Sequence, residues 1–203
     1  MIEFHHYARI KDNYCICYFG HSDEYLVQLK LLKPIIEREL PGLKIHFGCK
    51  DDKASLLGEC DGLLKISEFK ARRSDFAHMK ELKFNGQMHP VEELLVDAGI
   101  KNWAVAGEPQ KDHANRCVII TQGSHPTKPL EARQIETLKR MHKEKGYEVE
   151  IDTDTGTAGL VVGVESFGLF EAAGRGIQTK LVATGVGTRL YKGLFPFGEV
   201  LHI

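Results

Sequence analysis

Neither sign of charge dominates this 203-residue sequence: 27 Lys and Arg face 28 Asp and Glu, a formal net charge of −1. A general electrostatic pull toward nucleic acid or anionic lipid is thereby excluded. No apolar run approaches the roughly 18 residues that a membrane span requires. The opening residues, MIEFHHYARIKDNY, lack the basic-then-apolar order of a signal peptide, and a cytoplasmic location is the expectation. Cysteine is sparse and odd in number, with Cys15, Cys17, Cys49, Cys60 and Cys117, which argues against a disulfide framework. Repeats and low-complexity segments are absent too. What is left, 42% hydrophobic and 27% charged, is the balance of an ordinary globular protein, long enough for one large α/β domain or two small ones.

The residues that are present alternate between strand and helix patterns. YCICYF (14–19) predicts a buried strand. Ser22 is then a good N-cap, and Leu26, Leu29, Leu32, Ile36 and Leu40 recur at helical spacing, with Pro34 expected to kink or restart that helix. LKIHFG (43–48) and GLLKIS (62–67) predict further strands, with a short helix over 52–59 between them. The spacing of Phe76, Met79 and Leu82 predicts a helix over 70–83. Pro90 suits the first turn of a helix that Gly99 closes, and NWAVAG (102–107) predicts a fourth strand.

The polar stretch 108–116, EPQKDHANR, is the best linker in the chain. Beyond it RCVIITQG predicts a strand. A helix follows over EARQIETLKRMHKEKG, with Ile135, Leu138, Met141 and His142 on its apolar face and Gly146 just past its end. YEVEI (147–151), LVVGV (160–164), QTKLVAT (178–184) and EVLHI (199–203) read as strands, and Phe167–Ala173 as a short helix. Such alternation implies parallel sheets with crossovers on their faces. The expected fold is α/β: two small Rossmann-like halves, 1–110 and 111–203, with a ligand cleft at the carboxyl ends of their strands.

GVESFGLFEAAGRGI (163–177) carries the most chemistry. Ser166 can cap the helix that leaves the strand, and the helix start presents amide hydrogens that suit phosphate or carboxylate. Gly168 allows close approach to the backbone. Glu165, and Glu171 about one turn on, are pure acceptors suited to sugar hydroxyls. A carboxylate beside anion-accepting amides fits a molecule with both hydroxyls and phosphates. A plain strand-to-helix turn with a solvated Glu is the alternative.

The stretch GVESFGLFEAAGRGIQTKLVATGVG resembles the donor-binding segment of GT-B-fold glycosyltransferases, over about 25 residues. The resemblance implies two Rossmann-like domains in GT-B arrangement, with the N-terminal half on the acceptor side. It implies that Glu165 approaches a donor sugar, that Glu171 binds nucleotide ribose hydroxyls, and that Phe167, Gly168 and Leu169 lie between them at the donor. The glutamates here have five residues between them where the family has seven, Gln178 stands where the family carries Pro, and Ser124 stands where it carries Arg.

Other loops point to the same strand edge. In TQGSHPTKP (121–129), Gly123, Ser124, His125 and Lys128 can face one ligand, His125 being a general base by type. In TGVGTR (184–189), Gly185 and Gly187 suit close approach, while Thr188 and Arg189 offer phosphate partners; the spacing is not that of a P-loop. His21 follows the first strand and is the second candidate catalytic group. Cys15 and Cys17 share a strand face near His21, but small buried strand residues explain them, and Asp152 and Asp154 do not form an EF-hand. No metal or cofactor is expected. The basic residues from Lys65 to Lys83 are interrupted by acids and lack stacking aromatics, so they read as a solvated face. The functional expectation is a protein that binds a nucleotide-sugar and transfers its glycosyl group, alone, as a homo-oligomer or with a partner chain completing the cleft. The alternative is a non-catalytic binding or assembly module built on the same fold.

Overall fold

In the computed structural model the described residues are 13–17, 23–39, 44–57, 63–65, 78–81, 90–97, 99–105, 115–123, 129–183 and 187–203. The chain divides into two compact units, Met1–Trp103 and Ala104–Ile203.

The first unit holds strands β1 (Asn13–Cys17), β2 (Lys44–Cys49), β3 (Leu63–Lys65) and β4 (His78–Glu81) in a parallel sheet of order β3-β2-β1-β4. Helix α1 (Asp23–Glu39) buries Leu26, Val27, Leu32, Ile35 and Ile36. It runs unbroken through Pro34, which is exposed. Proline removes one helical hydrogen bond, and apolar burial on both sides of it keeps the helix going. A 3-10 helix follows β2 over Asp51–Leu57. Helix α2 (Pro90–Asp97) buries Val91, Leu94 and Leu95. It ends at Gly99, whose φ of 67° allows the amides of Gly99 and Ile100 to bond back to Val96 and Leu95.

Two expectations fail, one within this unit and one at its boundary with the second. The described part of 70–83 is a strand: His78–Glu81 pairs in parallel with Tyr14–Cys17. A three-residue apolar spacing over so short a stretch is weak against the free edge of β1, whose ladder groups need partners. The segment Asn102–Val105 is not a strand. Its hydrogen bonds go elsewhere: the Asn102 carbonyl accepts from Arg38 (2.8 Å), the Trp103 indole donates to Ile100 (2.7 Å), and the Val105 amide donates to Leu194 (3.0 Å).

The second unit holds β5 (Arg116–Ile120), β6 (Glu148–Ile151), β7 (Leu160–Gly163), β8 (Gln178–Val182) and β9 (Glu199–Leu201), all parallel, in the order β6-β5-β7-β8-β9. Helices α3 (Ala132–Lys143), α4 (Phe167–Gly174) and α5 (Thr188–Leu194) connect them. Alternate strand residues feed two faces. Cys117, Ile119, Leu160, Val162 and Val182 form one core with Leu130 and Leu138, the latter from α3. The other face is centred on an aromatic trio: Phe170 of α4, Tyr191 of α5 and Phe195 stand 5.5–6.1 Å apart between centroids. Strand β7 is buried along its whole length, as expected of a parallel sheet covered on both faces. Glycine ends α3 and α4 as it ends α2: Gly146 (φ 87°) and Gly176 (φ 79°) let the following amides return to the last turn.

The helix α5 goes beyond the expected loop at 184–189. Leu190, Tyr191 and Leu194 are buried at helical spacing, and that spacing was the available signal behind the glycine-rich start. The architecture is the expected α/β class with parallel sheets.

Candidate functional site

In a parallel sheet every strand ends at the same edge. In the second unit the chain leaves β5 to build β6 on one side, then crosses to β7 on the other. The connections after β5 and β7 therefore diverge at the carboxyl edge, the place where open parallel sheets bind ligands. Described residues that follow the strands there are Thr121–Gly123 after β5, Asp152 onward after β6, Val164–Ser166 after β7 and Ala183 after β8, with Gly187 at the start of α5.

The β5–β7 junction is close. Gly163 pairs with Ile120, and a Cβ on Gly163 would overlap the Ile120 backbone carbonyl. Any side chain at 163 would push the two central strands apart. One position on, the Val164 amide donates to the Ile120 carbonyl (3.3 Å). Asp152, at φ 48° just past β6, turns its carboxylate to the Thr121 amide (2.8 Å) and hydroxyl (2.5 Å). This tie locks the β5 turn to the β6 turn. Asp154 accepts from the Gly156 amide (3.1 Å). Among the described residues no group of three His, Cys, Asp or Glu could hold a metal ion.

The β7–α4 turn starts a helix as expected. Ser166 is extended (φ −154°, ψ 160°) and its hydroxyl accepts from the Leu169 amide (3.3 Å). Ser166 is 5% exposed and Leu169 fully buried, so the serine acts as a cap and the leucine as core. Phe167 and Gly168 are half-buried, and their amides, in the first helical turn, have no carbonyl of their own helix to bond. The space beside Gly168 is not open: Ile120 Cδ1 lies 3.0 Å from where its Cβ would stand. The close approach of Ile120 seats α4 on the sheet. Glu171 is 44% exposed and pairs with Arg175 at 3.5 Å; Arg175 also donates to the buried Thr155 (3.1 Å).

Glu165 is 4% exposed. Its carboxylate lies against the backbone of Gly187, where a Cβ would overlap both carboxylate oxygens. The Gly187 approach is thus made by the protein's own side chain, where the sequence suggested a ligand. Thr188 begins α5 half-buried, and Arg189 is exposed. Gly123 is half-buried after β5. Ser124, His125, Lys128, Gly185 and His21 lie outside the described residues. The structure thus gathers Gly123, Glu165, Ser166, Phe167, Gly168, Gly187 and Thr188 at one edge. The Asp152–Thr121 tie is an edge feature that the sequence did not suggest. A non-glycine residue at positive φ right after a strand is visible only in coordinates.

Comparison with known proteins bears on the fold. No family model matches the chain, and no curated protein does. Solved structures do match. The iron-containing dodecameric glycosyltransferase TibC of enterotoxigenic E. coli aligns at a TM-score of 0.55 and 14% identity, over 83% of this chain and 59% of that one. The E. coli heptosyltransferase WaaC with ADP aligns at 0.51 and 13% identity, over 93% and 92%. A family 9 glycosyl transferase of Veillonella parvula aligns at 0.55 and 9% identity, over 95% and 86%. The chain has a glycosyltransferase fold. It spans 59% of the length of TibC. At these identities the likeness describes the GT-B-type α/β fold. No helix among the described residues is long and apolar enough to cross a membrane.

Proposed function

We propose that the second unit binds a nucleotide-sugar at the carboxyl edge of its sheet and that the protein transfers the glycosyl group. The observation that carries this reading is the crossing between β5 and β7, which brings the 164–168 turn and the start of α4 to the sheet's switch point in a fold shared with glycosyltransferases. In this reading the first-turn amides of Phe167 and Gly168 accept the donor's phosphate charge, and Glu171 accepts hydrogen bonds from ribose hydroxyls. Lys128 and Arg189 offset the charge that develops on the leaving diphosphate, the main electrostatic demand of glycosyl transfer. His125 or His21 takes the acceptor's proton.

Because the neighbour WaaC was solved with ADP, ADP-sugars are the first donors to try, followed by UDP- and GDP-sugars. Ligand at 100 times its Kd stabilises a one-site protein by about 2.7 kcal/mol, so binding shows as a clear rise in Tm. Glu171→Gln and Lys128→Ala then lower affinity or turnover while leaving the unliganded Tm in place. If no donor at millimolar concentration raises Tm, the reading fails.

A second reading has its own support. Ser166 is occupied as a cap, Glu165 lies against Gly187, and Glu171 is paired with Arg175, so the polar side chains of the turn are engaged within the chain. That suits a non-catalytic module, including one that assembles with copies of itself, as the dodecameric neighbour TibC does. Such a module shows no transfer or donor hydrolysis with any acceptor, and size-exclusion chromatography reads its assembly state.

A further inference from the structure

A buried carboxylate and a glycine that has no conformational need to be glycine occupy the same corner of the second unit. Gly187 has φ −78° and ψ −2°, ordinary values for any L-residue. The other end of the chain's glycine spectrum is Gly146 or Gly176, where positive φ explains the residue and nothing stands within 4 Å of a built Cβ. At Gly187 the backbone is unremarkable and the space is full: Cδ, Oε1 and Oε2 of Glu165 occupy the place of the missing methyl. Gly187 is buried and Glu165 is 4% exposed. Neither flanking element has slack. Helix α5 is pinned by Leu190, Tyr191 and Leu194, all fully buried, and α4 by Leu169 and Phe170, also fully buried.

We propose that Glu165 is a positioning residue: its carboxylate replaces the side chain that Gly187 lacks, and so fixes the start of α5 against the β7–α4 turn. The two turns that flank the candidate site then hold one spacing, and disturbing either shifts the other. This rests on the nucleotide-binding reading for its functional consequence, while the pairing itself stands on the geometry. It differs from a ligand role in a way that mutation can read. A ligand carboxylate is needed for binding whatever stands at 187. A positioning carboxylate does harm when a methyl is forced against it, and loses that harm when it is removed together with the glycine.

The experiment is a double-mutant cycle of Glu165→Ala, Gly187→Ala and the pair, with ADP and UDP titrated by calorimetry and Tm recorded for each unliganded protein. Gly187→Ala, with Glu165 intact, is expected to weaken nucleotide binding roughly tenfold or more and to lower Tm, and the double variant to recover most of both losses, the non-additivity expected of groups in contact. Loss of binding in Glu165→Ala, with Gly187→Ala like the parent, overturns the proposal in favour of a ligand role. Strictly additive effects overturn it as well. Should Gly187→Ala give no folded protein, folding regained in the double variant supports the proposal, and continued failure overturns it. If the parent binds neither nucleotide, the binding reading fails separately, and the Tm cycle still decides the pairing.

Discussion

Among the described residues, the two faces of the second sheet each bury one polar aromatic side chain, and they treat it differently. On the α4–α5 face the Tyr191 hydroxyl and the Thr179 hydroxyl share a hydrogen bond of 2.6 Å, and burial pushes the tyrosine pKa up to about 12. Its ring is closed in by Phe170, by Phe195 and by Gly198, where a Cβ would overlap the phenol oxygen. On the α3 face, His142 is fully buried. Its Nδ1 bonds the Leu138 carbonyl at 2.9 Å, but Nε2 has no protein partner among the described residues. On the first face the buried pair satisfies itself; the other keeps a buried nitrogen that a proton would charge. The face that carries the candidate site is the satisfied one. A site must hold its geometry within fractions of an ångström, whereas α3 has only to cover the sheet.

The largest effect should come from Phe170→Ala. Removing a fully buried phenyl ring costs about 3–5 kcal/mol, read as a lowered urea midpoint at unchanged slope. Leu138→Ala is its counterpart on the α3 face, at roughly 2–5 kcal/mol. The comparison sharpens if nucleotide binding is followed in both: Phe170→Ala should weaken it beyond the stability loss, since α4 carries the first-turn amides, while Leu138→Ala should leave the affinity of the folded fraction unchanged. Equal loss of affinity in both variants would break the distinction. Next in size is Tyr191→Phe. It strands the Thr179 hydroxyl in a buried site, at about 1–3 kcal/mol, and Tyr191→Phe combined with Thr179→Val should recover part of that.

How much of this was readable beforehand follows the range of the interactions. Ser166 as a cap, Gly146 and Gly99 as helix ends, and the five strands of the second unit's sheet are local matters, decided within a few residues, and the sequence carries them. Strand β4 was not legible, because His78–Glu81 has no strand pattern of its own and is extended by pairing with Tyr14–Cys17. The run after Asn102 was misread for the converse reason. It has an apolar pattern, but Arg38 and Leu194 take its backbone groups. At the sheet edge the surroundings of the glycines were not legible. Beside Gly187 the room is filled by Glu165, and beside Gly168 the end of Ile120 comes close. Sequence marks a glycine; only packing tells what stands in the room it leaves.

The smallest expected effect tests the unsatisfied side of the comparison. Burial is the main cause holding the His142 pKa below its ordinary 6.5; the Leu138 carbonyl works the other way, as does Glu199 at longer range, while Lys180 and Lys145 add to the lowering. The Tyr147 ring packs edge-on at 6.2 Å and offers Nε2 no carboxylate. The folded protein thus resists a proton that the unfolded chain accepts near pH 6.5. Stability is therefore fully present above that pH and falls as the solution is acidified toward the lower folded value. One proton can contribute a slope of at most about 1.4 kcal/mol per pH unit. His142→Met removes the titrating group at similar volume, so the drop in Tm between pH 7.5 and 5.5 should shrink relative to the parent, with little change at pH 7.5. The same pH series on Tyr191→Phe should keep the parent's slope, because the hydroxyl pair does not titrate in that range. If His142→Met keeps the full slope, the acid sensitivity lies in carboxylates elsewhere, and the two faces of the sheet are less different than their hydrogen bonds make them.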